Sequence, residues 1–300
     1  MSQHAIAPTL IDPPDNETTE PSSLERVLER IHEVSTLPQV ALQVIQVARN
    51  PDSGAADLCA IVESDPALSC RVLKCVNSAA YGLRHRITNL QHAISMLGFK
   101  QVRNLAVTAS VSKVFMNRRA IGCYNRPQLW QHMVSVAIAA RMIAKRCNIA
   151  LFEESFLAGL LHDIGIILED QYCHSAFCEV IENLTPDRTL ASVERQMLGF
   201  DHTDLGGRFA ERSRFPDEVI CVIYHHHDGT RYTGPHQTIL ACVEMANFLC
   251  TLKSCSSVGM KLVQPNHHAI DQLQISRHDL KVWAMDLDAE IAQNSALFKL

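Results

Sequence analysis

The sequence predicts an all-α fold, a two-lobed helical bundle. Three observations predict it. Apolar residues recur at 3,4 spacing in one segment after another. Capping residues, Pro and Gly punctuate those segments where helices start and stop. No alternating apolar/polar run is long enough to predict a strand. With 300 residues, 47% of them apolar and 20% charged, the chain has ample material for a buried core and an ordinary globular composition.

Residues 1–21 hold Pro8, Pro13, Pro14 and Pro21 among polar residues and are expected to form a flexible tail. Residues 22–115 are expected to form an N-terminal helical lobe. Leu24, Val27, Leu28 and Ile31 mark a first helix, and Pro38 opens a second that ends near Asn50-Pro51. A third carries Leu58, Ile61 and Val62. Asp65-Pro66 is an N-cap with Pro at the first position, opening a helix over Ala67–Ala80 that Gly82 closes. Thr88-Asn89 caps a short helix ending at Gly98, and Val102–Phe115 is a longer one.

A polar break over Met116–Pro127 separates this half from a second lobe over residues 127–298. There Leu129–Cys147 reads as a long helix, and Phe152–Asp170 as another. Further helices are expected at Cys173–Asn183, Thr189–Leu198, Thr203–Ser213, Pro216–His226 and Thr238–Leu252. Cys255–Ile270 reads as irregular. Ser276 through Asp279 resembles a capping box for a final helix over Leu280–Ala296, which could pack internally or against another subunit. No fixed-period repeat is visible.

The 27 basic and 32 acidic residues give a net charge of −5, and no basic stripe extends beyond Arg118-Arg119, so no nucleic-acid partner is expected. The eleven cysteines contain no Cys-x-x-Cys pair, and several sit in helix-like apolar patterns as small hydrophobes. The N-terminus has no signal-like segment, and no apolar run reaches about 18 residues. These features predict a cytoplasmic protein with reduced thiols and no membrane span.

The chemistry-bearing stretch is Leu160-Leu161-His162-Asp163-Ile164-Gly165, inside an apolar run from Phe156 to Leu168. A buried Asp beside a buried His is costly unless each finds a partner or a metal. The pair is therefore either part of a ligand set or a polar knot retained for packing. His132, His202, His226 and His227 fall in other helical segments or at their ends, and a bundle can turn such side chains toward one interior point. Imidazoles with a carboxylate suit a divalent transition metal (Fe, Mn or Zn) rather than Ca or Mg. Each residue also has a plain alternative. His132 could snorkel, His202 with Asp201 could be a helix cap, and the run of histidines from 225 to 227 could be a solvated terminus.

Taken together, a His, then His162-Asp163, then downstream histidines, resembles the HD superfamily of metal-dependent phosphohydrolases. His202, Gly206, Phe215-Pro216 and His226-His227 are similar to the further histidine pattern of the HD-GYP branch. In the first half, Leu37-Pro38, Asp65-Pro66-Ala67-Leu68, the segment from Val76 through Gly82 and that from Ala93 through Gly98 are similar to the HDOD (HD-related output domain) family. The resemblance covers about residues 24–298. It implies a bacterial signal-transduction output module with His132, His162, Asp163, His202, His226 and His227 around one or two metal ions, or none.

Three departures bear on activity. The superfamily's last ligand is an Asp in a late helix, and Asn247 stands in its place, bringing no negative charge. Ile166 follows His-Asp-Ile-Gly where the HD-GYP branch has Lys, and the Gly-Tyr-Pro signature is absent. The sequence therefore leads to a regulatory module that binds a signalling protein or small ligand in trans. Asn77, Ser78 and Tyr81 are the candidate contacts in an inter-lobe groove; the alternative is a polar cluster that packs the two halves. The competing function is a metal-dependent phosphodiesterase acting on a nucleotide or cyclic dinucleotide, with Asp163 bridging metals or polarising water.

Overall fold

The computed structural model describes residues 23–33, 37–50, 52–116, 120–258 and 266–299. The expected tail over residues 1–21 and the Arg118-Arg119 pair lie outside the described residues. Among the described residues the protein is all-α apart from one hairpin. The first half comprises α1 (Ser23–Glu33), α2 (Gln39–Arg49), α3 (Ala55–Glu63), α4 (Pro66–Val76), α5 (Leu90–Leu97) and α6 (Phe99–Val111). Asp65 caps α4 by accepting from Leu68 N, and Asn89 caps α5 by accepting from His92 N. Helix α4 stops at Val76, short of the expected Ala80, because Asn77 turns its side chain to the loop ahead. Its Oδ1 accepts from Ile87 N and its Nδ2 donates to Ile87 O, both at 2.8 Å. A one-turn 3-10 segment, Ala79–Tyr81, follows and ends at Gly82 with φ +56°, a conformation that favours glycine.

The polar break contains a hairpin, β1 (Ala120–Ile121) with β2 (Tyr124–Asn125), paired antiparallel and too short to register as alternation. It is pinned to the second half, since Tyr124 Oη donates to Asp170 Oδ2 at 2.8 Å and Arg126 Nε to the same oxygen at 2.6 Å. The second half runs through α7 (Arg126–Arg146), α8 (Phe152–Leu161), α9 (Ile164–Tyr172), α10 (His174–Glu182), α11 (Leu190–Leu198), α12 (His202–Arg212), α13 (Asp217–His225), α14 (Gln237–Leu252), α15 (His267–Leu273) and α16 (Arg277–Gln293). Ser276 and Asp279 form the expected reciprocal capping box of α16.

Two expectations need correction. The single helix over Phe152–Asp170 is two, α8 and α9, broken at His162-Asp163. The apolar run concealed the break because the residues on both sides are buried. The stretch Cys255–Ile270, expected to be irregular, contains the start of α15, capped by Asn266 accepting from His268 N. With three histidines or Asp among its seven residues, α15 carries too little apolar periodicity to be read.

One hydrophobic core runs through both halves, with α7, α8 and α14 packed together at its centre. The junction of the halves, α6 against α8, is filled by a buried polar network. Arg103 Nε and Nη2 donate to Asn104 Oδ1, and Asn104 Nδ2 donates to Glu153 O at 2.8 Å and Glu153 Oε2 at 2.7 Å. Arg141 of α7 approaches the other Glu153 oxygen at 3.8 Å. Helix α1 crosses over to α9 and α12. Its Glu25 pairs with Arg208 and Arg212, and its Ser23 Oγ donates to Leu198 O at 2.9 Å. Among the described residues, no helix is long and apolar enough to cross a membrane.

Candidate metal centre

The break between α8 and α9 is what builds the site. His162 ends α8 and Asp163 precedes α9, so both side chains leave the helical rows and enter the interior, at 0% and 1% exposure. Helix α12 meets α9 backbone to backbone. A Cβ on Gly165 would lie 2.6 Å from the carbonyl carbon of His202, and one on Gly206 would lie 3.0 Å from Gly165 N. Two glycines thus bring the N-terminus of α12, capped by Asp201, against the start of α9. The same contact brings His202 to Asp163.

Asp163 sits at the middle of the cage. Its Oδ2 lies 3.5 Å from His132 Nε2 and 3.3 Å from His162 Nε2. Its Oδ1 lies 3.2 Å from His226 Nε2 and 3.8 Å from His202 Nε2. His227 Nε2 closes the second group at 2.9 Å from His202 Nε2. The two sets, His132–His162–Asp163 and Asp163–His202–His226–His227, share the one carboxylate, and within each set the ligand atoms lie within 4.8 Å of one another. Of these residues only His227 is exposed.

The outer nitrogens decide what the inner ones offer. His132 Nδ1 is 2.8 Å from Cys255 O, His162 Nδ1 is 2.7 Å from Gly159 O, and His226 Nδ1 is 3.1 Å from Val222 O. A carbonyl can only accept, so each Nδ1 carries the proton and each neutral ring turns a lone pair inward at Nε2. Those three Nε2 atoms are buried and have no hydrogen-bond partner. Lone pairs aimed at a carboxylate repel unless a cation lies between them. Ligands about 2.1 Å from a metal stand roughly 3–3.5 Å apart around it, which matches most of the spacings to Asp163. The donor set therefore fits a divalent transition metal.

Burial lowers His132 to about 4 and pushes His226 down as well. His202 goes the other way. Burial acts to lower it, but the Glu194 carboxylate at 2.6 Å from Nδ1 outweighs this and raises it to about 9. Burial acts to raise Asp163, and only His162 and His226 in their cationic forms, not the neutral tautomers, hold its carboxyl well below the usual range. A histidine with a raised folded pKa contributes full stability below its unfolded value of 6.5 and loses it as pH rises through the folded value. In metal-stripped protein the stability gap between wild type and His202→Gln should therefore shrink from pH 6.5 to about 9. Denaturant unfolding at stepped pH reads this, and a gap constant across that window would contradict the pairing.

Three residues that sequence reasoning missed hold the cage from outside. Glu194 accepts from His202, and Glu169 stands behind Glu194. Glu244 accepts from Gly229 N at 2.9 Å and Asn266 Nδ2 at 2.8 Å, fixing the loop that follows His226-His227. For Glu169 the legible signal was its place directly after the apolar run that ends at Leu168, whereas Glu194 stands on α11 among mostly exposed neighbours and gave none. Asn247 is half-buried on α14, one turn beyond Glu244, and Ile166 is packed in the core. Asn77, Ser78 and Tyr81 lie apart from the cage. The Asn77 amide is committed to Leu73 and Ile87, and Ser78 Oγ and Tyr81 Oη point inward, buried and without hydrogen-bond partners.

One aspartate ringed by five histidines from four segments, α7, the end of α8, α12 and the end of α13, gives this bundle a donor set that could hold a divalent metal. The chain belongs to the HDOD domain family, whose model matches residues 34–229. It is similar to an HDOD domain protein from Geobacter sulfurreducens, with a TM-score of 0.76 at 25% identity over 92% of this chain and 97% of that one. A protein of Marinobacter aquaeolei VT8 described as acting in signal transduction gives a TM-score of 0.72 at 24% identity, covering 92% of this chain and 65% of the other. One from Shewanella amazonensis SB2B described as a phosphohydrolase gives 0.69 at 22% identity, covering 91% and 97%. In sequence, a protein of Treponema pallidum (strain Nichols) is 26% identical over 227 residues; the match takes in 74% of this chain but only 43% of that relative's length.

Proposed function

We propose that the chain is a signal-transduction output module whose cage holds a divalent transition metal (iron, manganese or zinc) as a fixed centre, and that it acts by binding a partner or small ligand in trans. One observation carries this reading. Asp163, His132, His162, His202 and His226 are each between 0% and 3% exposed, so the cage offers solvent little beyond the edge of His227. Structural metal sites are closed in this way, whereas catalytic ones keep a position open to substrate. The four-residue side, with Asp163, His202, His226 and His227, would supply a complete tetrahedral set. When bound, the ion would supply positive charge and Lewis acidity. The protein's own groups orient the rings through Cys255 O, Gly159 O, Val222 O and Glu194. Ile166 in the core and the neutral Asn247 fit a chain with little provision for the charge that develops in phosphate-ester hydrolysis.

A phosphohydrolase is the second reading. It is favoured by the three-residue side, His132–His162–Asp163, which would leave positions for water on an ion held there. Incubating the metal-loaded protein with cyclic dinucleotides and nucleoside phosphates separates the two. No turnover above that of the free metal is expected. Turnover that disappears in Asp163→Asn would overturn the first reading in favour of the second.

A further inference from the structure

Behind the cage lies a pair of buried carboxyls that the metal reading does not use. Glu194 of α11 has no solvent exposure, and its Oε2 accepts twice from His202, from the backbone N at 3.0 Å and from Nδ1 at 2.6 Å. Its other oxygen, Oε1, has no donor. Glu169 of α9, six residues after Asp163, is equally buried, and neither of its oxygens has a donor. The two carboxyls face one another within hydrogen-bonding reach. Asp201, the next nearest carboxylate, is already committed to Thr203 N, Thr203 Oγ1, Asp204 N and Arg195.

Two adjoining carboxyls in a dry interior cannot both be ionised. Glu194 is the one with N–H donors, so the charge belongs there and the proton on Glu169. The Glu169 O–H is then the donor that the free oxygen of Glu194 lacks. Burial and the neighbouring Glu194 act in the same direction, raising Glu169 well above the usual carboxylate range.

We propose that Glu169 is a positioning residue: as a neutral acid it hydrogen-bonds Glu194, and Glu194 in turn holds the His202 ring with Nε2 aimed into the cage. The relay thus joins α9, α11 and α12, and it sets a ring that sits at the N-terminal end of its helix. Its consequence for metal affinity rests on the reading of the cage as a metal centre. The positioning itself is a property of the metal-free protein, so it is testable separately.

The test compares Glu169→Gln, whose amide keeps a donor toward Glu194, with Glu169→Leu, which removes it. In the metal-stripped full chain, the His202 ring nitrogens read by 15N NMR should match wild type in Glu169→Gln and shift in Glu169→Leu. Glu169→Asp, which withdraws the O–H by one methylene, should shift them in the same direction and serves if the Leu variant does not fold. On titration with Zn2+, Glu169→Gln should bind within about threefold of wild type and Glu169→Leu about ten- to a hundredfold more weakly. A Leu or Asp variant with unshifted His202 signals, or a Gln variant as impaired as Leu, would overturn the proposal. If wild type takes up no Zn2+ while the His202 signals behave as described, the metal reading fails and the positioning stands.

Discussion

Gly165→Ala should be among the most damaging single-methyl changes in the chain. The added carbon would stand 2.6 Å from the carbonyl carbon of His202 and 3.0 Å from its Cα, inside the contact distance of the carbonyl oxygen. Those are backbone atoms of α12, so no side chain can swing aside. Relief requires α9 and α12 to separate, and Gly206 shows how close they are, with Gly165 N 3.0 Å from where its own Cβ would stand. Overpacking of this kind costs about 3 kcal/mol or more. Because the displaced element begins with His202, uptake of Zn2+ should fall to about a tenth of wild type or less even where the variant remains folded. Gly159→Ala provides the contrast. Its Cβ would lie 3.1 Å from Ala137 Cα, a tight contact that a few tenths of an ångström relieve, at a cost of about 1 kcal/mol. Equal losses in the two variants, read by denaturant unfolding and metal titration, would contradict the special role of the α9–α12 contact.

Asp163→Asn should have the largest effect on metal with the smallest change of shape. The side chain keeps its size and its place between the two histidine sets, but the carboxylate they share becomes neutral. Metal content after reconstitution should drop below about a tenth of wild type. The fold should survive, since the amide N–H can donate to one of the inward Nε2 lone pairs that have no donor now. A stability loss of about 1–3 kcal/mol in the metal-free protein is the expected scale for a buried polar partner changed in this way. Retention of stoichiometric metal by Asp163→Asn would mean that the ion sits elsewhere.

Much of the fold was legible because the helices announce themselves locally. Asp65-Pro66, Asn89, Thr189 and Ser276 each accept from the backbone of the turn they open. What escaped was set by contacts distant in sequence. The α8–α9 break lies in an uninterrupted apolar run, and it follows from the approach of α12 across the glycines at 165 and 206, more than thirty residues apart in the chain. Helix α15 is seven residues long and rich in polar side chains, too short for a period to show. The hairpin has two residues per strand.

The candidate site divides in the same way. His132, His162, Asp163, His202, His226 and His227 converge as a bundle allows, and the plain alternative for His202 holds only in part. Asp201 is the cap, and His202 is the first helical residue with its ring turned into the cage. Glu169 could be suspected from the apolar run before it, but Glu194 and Glu244 were invisible because an acidic residue is ordinarily solvated. Only the fold reveals that they are buried and which backbone or ring they hold. For Asn77 the sequence left partner contact and helix-end packing open, and its amide is spent on Leu73 and Ile87.

The central claim is that the histidine–aspartate cage is a metal site. Its most direct test is elemental analysis of the full chain after stripping, reconstitution with Fe(II), Mn2+ or Zn2+ in turn, and exhaustive dialysis. About one ion or more retained per chain by wild type, with none retained by Asp163→Asn, is the predicted result. A folded wild-type protein that retains none of the three would contradict the claim and leave the cage as a buried polar knot that packs α7, α8, α12 and α13 together.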